Sequence, residues 1–474
     1  MPGGSEVSGA IAQEPGHAKP PAWRIVALAA VMVLASVAAA YISFAGVQWP
    51  SVEVLFSGTI AVTLAAVALA SPRNGLVLLL MAIPLFDFAT LGPQNAPFTA
   101  AHVLLGGTIL GWLARVVRDH KSALPTPTPL LGGLGLLVIA GLGSLIASLA
   151  PATTAFNTFR LLALFLLAMV VMWRASTPEG AFSLVRLLVW IAVALVGVEG
   201  VQYLMPGLGI GRIATQGLES TALLVRPAAF FLDPNFLAGY LSAAALACGA
   251  MLVRARSWHE GLVWAVPGAI TAAGMLVTFS RTAWVGFAVG MVLVLLTAPA
   301  ERRKKLVIIA VVLAVAAVPF LPASITARVA TIFEPQSTGS LSTRYLMVVS
   351  SVQMLGQYWL GGTGLGGFEL AYPPYRQPGS LARILHPHQL FLAMWVEMGL
   401  LGLLAELMIV AGIAIAWRRL HVRGYPGVSA AVLVGAVALV VESFFQYYLY
   451  FEYLWLFLAL LAAVSVHRKE VSGA

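Results

Sequence analysis

The chain of 474 residues is 60% hydrophobic and only 9% charged, and its mean hydropathy is +0.93. These values exclude an ordinary soluble globular protein and predict many helices that span a bilayer. The net charge of +9 comes without a long basic run interleaved with aromatic residues, so it does not indicate nucleic-acid binding. We therefore expect an all-α polytopic membrane protein with membrane lipids around it and no nucleic-acid partner.

The number of spans follows from the thickness of the bilayer. A hydrocarbon core of about 30 Å requires roughly 20 apolar residues per helix. Fourteen segments approach this length, at residues 25–46, 52–70, 75–90, 98–116, 129–149, 158–173, 182–204, 235–253, 261–279, 283–299, 306–320, 389–417, 428–446 and 452–466. Several are short, and 75–90 contains Pro84. Twelve spans is the alternative, with one pair of segments re-entrant.

The orientation follows from the cations, because short cytoplasmic loops retain Lys and Arg. An N-terminus inside the cell assigns all but eight of the 27 basic residues to the cytoplasm. The eight at the exported face are all arginines: Arg160, Arg212, Arg226, Arg281, Arg328, Arg344, Arg376 and Arg383. A guanidinium binds oxyanions through paired hydrogen bonds, so an all-arginine set predicts an anion site. The alternative is that the few lysines all lie inside by chance.

The spans and loops divide the chain into seven parts. They are a disordered cytoplasmic N-terminus at 1–24, N-terminal helices at 25–204, an exported loop at 205–234, central helices at 235–320, a large exported loop at 321–388, C-terminal helices at 389–466 and a cytoplasmic tail at 467–474. A loop as long as 321–388 usually has structure and function of its own. Within it, the apolar pattern of 341–358 predicts a helix lying along the membrane surface.

A glycine-rich run follows that helix, Gly361-Gly362-Thr363-Gly364-Leu365-Gly366-Gly367-Phe368. It superficially resembles a phosphate cradle. No strand precedes it, and its spacing is not that of a dinucleotide fingerprint. We therefore expect a tight turn beneath the functional site.

Two of the exported arginines stand at the ends of spans. Arg226 precedes the span 235–253, and Arg281 lies in a short turn between two spans. A lone boundary arginine often only snorkels to the interface. Oxyanion binding is favoured instead by the position of both arginines on the exported side and by the absence of nearby acids that would pair with them structurally. The neighbouring turn Asp233-Pro234-Asn235 favours it as well.

Two histidines, His386 and His388, directly precede the span that starts at 389. A neutral imidazole can accept a proton near neutral pH, which makes such a residue a candidate general base. The alternative is a metal site, but no third ligand is evident, and Cys248 is the only cysteine. We expect no metal and no cofactor.

These motifs together resemble the O-antigen ligase and O-antigen polymerase superfamily, most closely the bacterial lipopolysaccharide O-antigen ligase. The resemblance covers roughly residues 158–446 and rests on Arg226, the run 230–238 (Phe-Phe-Leu-Asp-Pro-Asn-Phe-Leu-Ala), Phe279-Ser280-Arg281-Thr282-Ala283-Trp284, Thr343-Arg344 and the glycine-rich run. His388-Gln389, nine further residues, Gly399 and Gly402 are similar to the ligase signature. The His386-Pro387 pair is not part of that signature.

The resemblance implies a GT-C-like glycosyltransferase in the inner membrane of a bacterium, with its active site facing the periplasm. Its donor would be O-antigen linked to undecaprenyl diphosphate, and its acceptor a sugar of the lipid A-core oligosaccharide. In that reaction His388 would be the general base, while Arg226 and Arg281 would hold the diphosphate. Arg212 and Arg344 would be second-rank diphosphate contacts, and His386, Asn235 and Asp233 would be supporting residues.

Two other functions stay open. An O-antigen or exopolysaccharide polymerase, or a ligase that glycosylates proteins, would use the same leaving-group arginines with another acceptor. A secondary transporter would place its charged residues in broken helices near the bilayer midplane. The candidate residues here cluster at one face beside a large loop, which disfavours the transporter.

Overall fold

The computed structural model describes residues 63–85, 100–119, 124–208, 210, 213–217, 223–317, 339–380, 384 and 386–467. The elements in chain order are α1 (Pro72–Ala82), α2 (Ala100–Asp119), α3 (Pro129–Ser144), α4 (Pro151–Arg174), α5 (Pro178–Leu204), β1 (Ile213–Gly217), β2 (Leu223–Pro227), α6 (Pro234–Leu252), α7 (Trp258–Val277), α8 (Arg281–Thr297), α9 (Ala300–Ala317), α10 (Gly339–Tyr358), α11 (Phe368–Ala371), α12 (Leu390–Val422), α13 (Gly427–Glu442) and α14 (Glu452–Val464). The predicted N-terminal segment 1–24, the span 25–46 and most of 52–70 lie outside the described residues.

The predicted class, an all-α polytopic membrane protein, is confirmed. Among the described helices, α4, α5, α6, α7 and α12 are long and apolar enough to cross a membrane. Helices α3, α8, α13 and α14 are also apolar but have 10–17 residues. The described part of the chain therefore supports a multi-pass protein, and the count of 12 to 14 spans stays a prediction.

The core of the described bundle forms around α6, α13 and α14. The sequence of α6 is rich in alanine and glycine, and most of its residues are buried. Small side chains let neighbouring helices approach closely, and α6 packs against α7, α8 and α13. Tyr240 of α6 stacks on Tyr453 of α14 with ring centroids 3.7 Å apart. This close packing fixes the ends of these helices, where the functional residues lie.

Arginines assigned to the cytoplasm bind helix ends on one side of the bundle. The Arg254 guanidinium donates to the backbone oxygens of Thr297 and Tyr425, and Arg302 donates to that of Val253 at 3.2 Å. The last carbonyls of a helix lack partners within the helix, so these contacts satisfy groups at the C-termini of α6 and α8. The other ends of the same two helices are where the predicted site residues meet.

Helix α12 is interrupted at Gly399, whose backbone has φ 62° and ψ −151°. This left-handed conformation strongly favours glycine. The backbone N–H of Leu400 donates to the Leu360 oxygen at 3.1 Å, and that of Thr363 to the Val396 oxygen at 2.9 Å. The glycine-rich run thus docks its backbone into the break in α12. Gly362 has φ 74°, as expected for a tight turn.

The exported loops contain one helix that the sequence predicted and one β-hairpin that it did not. The predicted helix 341–358 is confirmed as α10, Gly339–Tyr358. The loop 205–234 contains an antiparallel hairpin of β1 and β2, in which Ala214 pairs with Arg226, and the sequence pattern did not predict it. Each strand has five residues, too few for an alternating pattern to stand out. The hairpin satisfies part of the loop's backbone and places Arg226 on a regular element.

Candidate active site

The first turns of α6, α8 and α12 supply the groups around the candidate active site. Helix α6 is capped by Asp233, whose carboxylate accepts the backbone N–H of Asn235 at 2.7 Å. Helix α8 is capped by Ser280, and α12 by Gln389. Helix N-termini carry partial positive charge and free N–H groups, which attract anions. The helix ends alone therefore favour a negatively charged ligand at this position.

Arg226 joins two of these helix ends. Its Nε donates to the Thr278 backbone oxygen at 2.9 Å, and its Nη2 donates to Asn235 Oδ1 at 3.0 Å. Arg281 is the first residue of α8, three positions after Thr278. Both arginines are only 9% exposed. Such burial favours a role inside the protein over snorkelling along a lipid-facing surface.

His388 is connected to the start of α8 through a glutamine. Its imidazole is hydrogen-bonded to the Gln446 side chain, and Gln446 Nε2 lies 3.5 Å from Thr282 Oγ1. Thr282 follows Arg281 directly. Gln446, which no sequence motif indicated, thus connects the candidate base to the residue next to a candidate diphosphate arginine.

The charge state of His388 follows from its surroundings. Burial, and then the positive charge of Arg344 and the neighbouring His386, lower the pKa of His388 to about 4. Charge on an imidazole is disfavoured both by loss of water and by a like charge. At pH 7 the ring is therefore neutral and has a nitrogen lone pair for a proton. Burial is the larger of these causes.

Arg344 reaches the site from α10 in the large exported loop. It is close enough to act electrostatically on both His388 and Tyr448. The Tyr448 hydroxyl donates to the Asn235 backbone oxygen at 2.9 Å and lies 3.2 Å from a carboxyl oxygen of Glu442. Glu442 was missed in the sequence. An ionisable residue inside an apolar helix is a general signal of function and was available there.

His386 points into different surroundings from His388. Its ring stacks on Tyr447 with centroids 4.4 Å apart and planes 9° from parallel, and it meets the His388 ring edge to face at 5.3 Å. Tyr447 in turn donates to a carboxyl oxygen of Glu397 at 3.1 Å. Burial lowers the pKa of His386. The two histidines therefore belong to adjacent but separate groups of side chains.

Most of the predicted site residues converge. The side chains or helix ends brought together are those of Arg226, Arg281, Arg344, His388, Asn235 and Asp233. Arg212 lies outside the described residues. Within the described ranges, no group of three or more His, Cys, Asp or Glu side chains is arranged to hold a metal ion.

The comparison with protein families identifies one match. Residues 266–407 match the model of a family described as O-antigen ligase. The matched segment contains Arg281, Arg344 and His388, and begins after Arg226. No curated protein matches the chain. The match supports the O-antigen ligase and polymerase superfamily that the motifs resemble, and with it an enzyme of glycosyl-transfer type in a membrane.

Proposed function

We propose, from the O-antigen ligase match over residues 266–407, that this protein is an O-antigen ligase. It would transfer O-antigen polysaccharide from undecaprenyl diphosphate to a sugar hydroxyl of lipid A-core at the periplasmic face of the bacterial inner membrane. The observation that carries the proposal is the contact chain from His388 through Gln446 to Thr282, beside Arg281. This contact supports a neutral base that acts near the start of the helix carrying Arg281.

The proposed reaction is one displacement. The acceptor oxygen attacks the anomeric carbon of the donor, and the bond from that carbon to the diphosphate oxygen breaks, its electron pair leaving with the diphosphate. The acceptor hydroxyl proton passes to the neutral imidazole of His388. A positioned base of this kind contributes ~10² to 10⁴ in rate. Attack opposite the leaving group predicts inversion at the anomeric carbon.

Departure of the diphosphate needs stabilisation of the charge that grows on it. Arg226 and Arg281 would supply it from a buried site, where fixed cations act more strongly than in water. The N-terminal ends of α6 and α8 add positive potential in the same place. Arg344 acts electrostatically on His388, and we assign it to the donor phosphate or to control of the base. The chemistry proposed requires no metal or nucleotide.

Reconstitution tests the proposal. The full-length protein in liposomes is given purified undecaprenyl-diphosphate glycan, with and without lipid A-core, in buffer containing excess EDTA. Glycan on lipid A-core, with inverted linkage, is the expected product. Longer undecaprenyl-linked chains would instead indicate a polymerase. Activity that EDTA abolishes and Mg²⁺ or Mn²⁺ restores would contradict the metal-independent mechanism.

A further inference from the structure

A cavity lies beside the candidate base and is lined by none of the diphosphate arginines. It has a volume of about 430 Å³ and is lined by polar groups of three helices and two connecting segments and by several aromatic rings. The polar groups within helices are Asn157 and Arg160 of α4, Glu397 of α12 and Glu452 of α14. Those outside helices are His386 and Tyr447. A pocket with apolar walls and a few convergent polar groups is the usual form of a small-ligand site.

The Glu397 carboxyl is the most firmly held of these groups. Its side chain is 1% exposed, and it accepts hydrogen bonds from the backbone N–H groups of Gly366 and Phe368 and from the Tyr447 hydroxyl. The glycine-rich run therefore directs its amides at a carboxyl of the protein rather than at a phosphate. Such a pre-organised carboxyl is a strong acceptor for hydroxyl groups.

The cavity also combines a cation with an aromatic surface. The Arg160 guanidinium lies 4.1 Å from the centroid of the Tyr450 ring, and the Asn157 amide donates to the Leu365 oxygen at 3.3 Å. Phe231 and Phe236 add two more rings. Aromatic faces pack against the C–H faces of a sugar, while guanidinium, amide and carboxyl groups bind its hydroxyls. This combination fits a sugar better than a lipid chain.

The position of the cavity relative to the base assigns a role to it. His386 lines the cavity, and its ring touches His388 edge to face. His388 is also connected, through Gln446, to Thr282, the residue that follows Arg281. In a two-substrate transfer, the attacking hydroxyl and the leaving diphosphate must approach the anomeric carbon from opposite sides. Because the attacking hydroxyl gives its proton to His388, a cavity that borders this base suits the attacking sugar.

We propose that this cavity binds the acceptor sugar and that Glu397 and Arg160 set its specificity. The inference rests on the proposed glycosyl transfer. The cavity is lined by two carboxyls, of Glu397 and Glu452, and by one guanidinium, so the site favours a neutral hexose or an amino sugar over a uronic acid. His386 contributes by contact with that sugar, whereas His388 takes its proton.

The test separates acceptor binding from donor binding. Initial rates are measured with the full-length protein in liposomes, varying lipid A-core and undecaprenyl-diphosphate glycan in turn, for Glu397→Gln and Arg160→Gln. Loss of a contact to a buried polar partner should raise the acceptor KM by about tenfold or more, with the donor KM within about twofold. The control is Arg186→Gln, an exposed arginine of α5 outside the cavity, which should change neither.

Three outcomes are distinguishable. A raised donor KM with a normal acceptor KM, or normal values for both in the Arg160 variant, would overturn the acceptor site while leaving the ligase intact. Absence of transfer to lipid A-core by the wild type would instead contradict the proposed function.

A matched pair of lipid A-core acceptors ending in glucose or glucuronic acid tests the expected preference for a neutral sugar over a uronic acid. The glucose acceptor should be preferred, and Glu397→Gln should reduce that preference. Equal rates with the two acceptors would contradict the expected preference for a neutral sugar.

Discussion

The imidazole of His388 is hydrogen-bonded to the side chain of Gln446, which comes from the segment between α13 and α14. Gln446 also contacts Thr282 at 3.5 Å, so it connects the ring to the first turn of α8. A base must be held within hydrogen-bond reach of the proton it removes. In the account proposed here, Gln446 orients the base between the leaving group and the acceptor.

The lowered pKa of His388 predicts an unusual pH profile. Protonation of the His388 imidazole would remove the base, and the pKa of this imidazole is about 4 rather than the ordinary 6.5. We therefore expect kcat/KM to stay level from pH 7 down to about 5 and to fall only near 4. Arg344→Gln removes a like charge, so it should move this acid limb to higher pH. Arg376→Gln is the control. A wild-type acid limb at 6.5 would contradict the burial of a neutral base.

The guanidinium geometry of the diphosphate arginines predicts that lysine cannot replace them. Arg226 uses Nε and Nη2 for two separate partners, which a single ammonium on a flexible stem cannot reproduce. Arg226→Lys and Arg281→Lys should each lower kcat/KM by ~10-fold to ~100-fold, the equivalent of one charge-assisted hydrogen bond. Arg186→Lys, at an exposed position of α5, is the control. Near-normal transfer by both variants at equal protein levels would refute the assignment.

The break in α12 predicts a strong effect of a single methyl group. In Gly399→Ala, the new Cβ would collide with the Leu360 backbone oxygen, and the left-handed conformation costs ~1–2 kcal/mol more. We expect a lower unfolding temperature and loss of most transfer activity. The control is Gly356→Ala in α10, where a Cβ meets nothing within 4 Å and should stabilise the helix. Equal unfolding temperatures of the two variants would show that the break in α12 at Gly399 is not needed for stability.

The orientation of the bundle predicts which positions are accessible from outside. With Cys248 replaced by Ala, cysteines at Thr215 and Arg376 should react with a membrane-impermeant maleimide added from the periplasmic side. Cysteines at Lys304 and Val422 should react only after the membrane is permeabilised. The reverse pattern would place the candidate site on the cytoplasmic side and remove the basis for a lipid A-core acceptor.

The helices were largely predictable, because a bilayer demands long apolar segments and few other sequences satisfy that demand. The prediction 235–253 differs from α6 by one residue at each end, and 182–204 shares its C-terminus with α5. The prediction 389–417 missed both the break at Gly399 and the continuation to Val422. A glycine in an apolar helix is common in membrane proteins, so the break had no distinct local signal.

The candidate site was predictable only in part. Arg226, Arg281 and His388 were found because charged residues at the ends of spans are conspicuous. Gln446 was missed because its partner Thr282 lies 164 positions away, a separation that no local pattern reveals. Glu397 was recognisable from the sequence, because an acidic residue inside an apolar span is costly and usually functional. It was not predicted as a site residue, because the candidates were chosen among residues at the ends of the spans.

The most direct test of the central claim is a comparison of His388→Ala and His386→Ala in reconstituted transfer and donor binding. We expect His388→Ala to lower the rate by ~10² to 10⁴, to below detection in lipopolysaccharide ladders, with unchanged affinity for undecaprenyl-diphosphate glycan. His386→Ala should retain a substantial fraction of the rate. Full activity of the His388 variant, or loss of donor binding together with catalysis, would contradict the account by showing that His388 is structural.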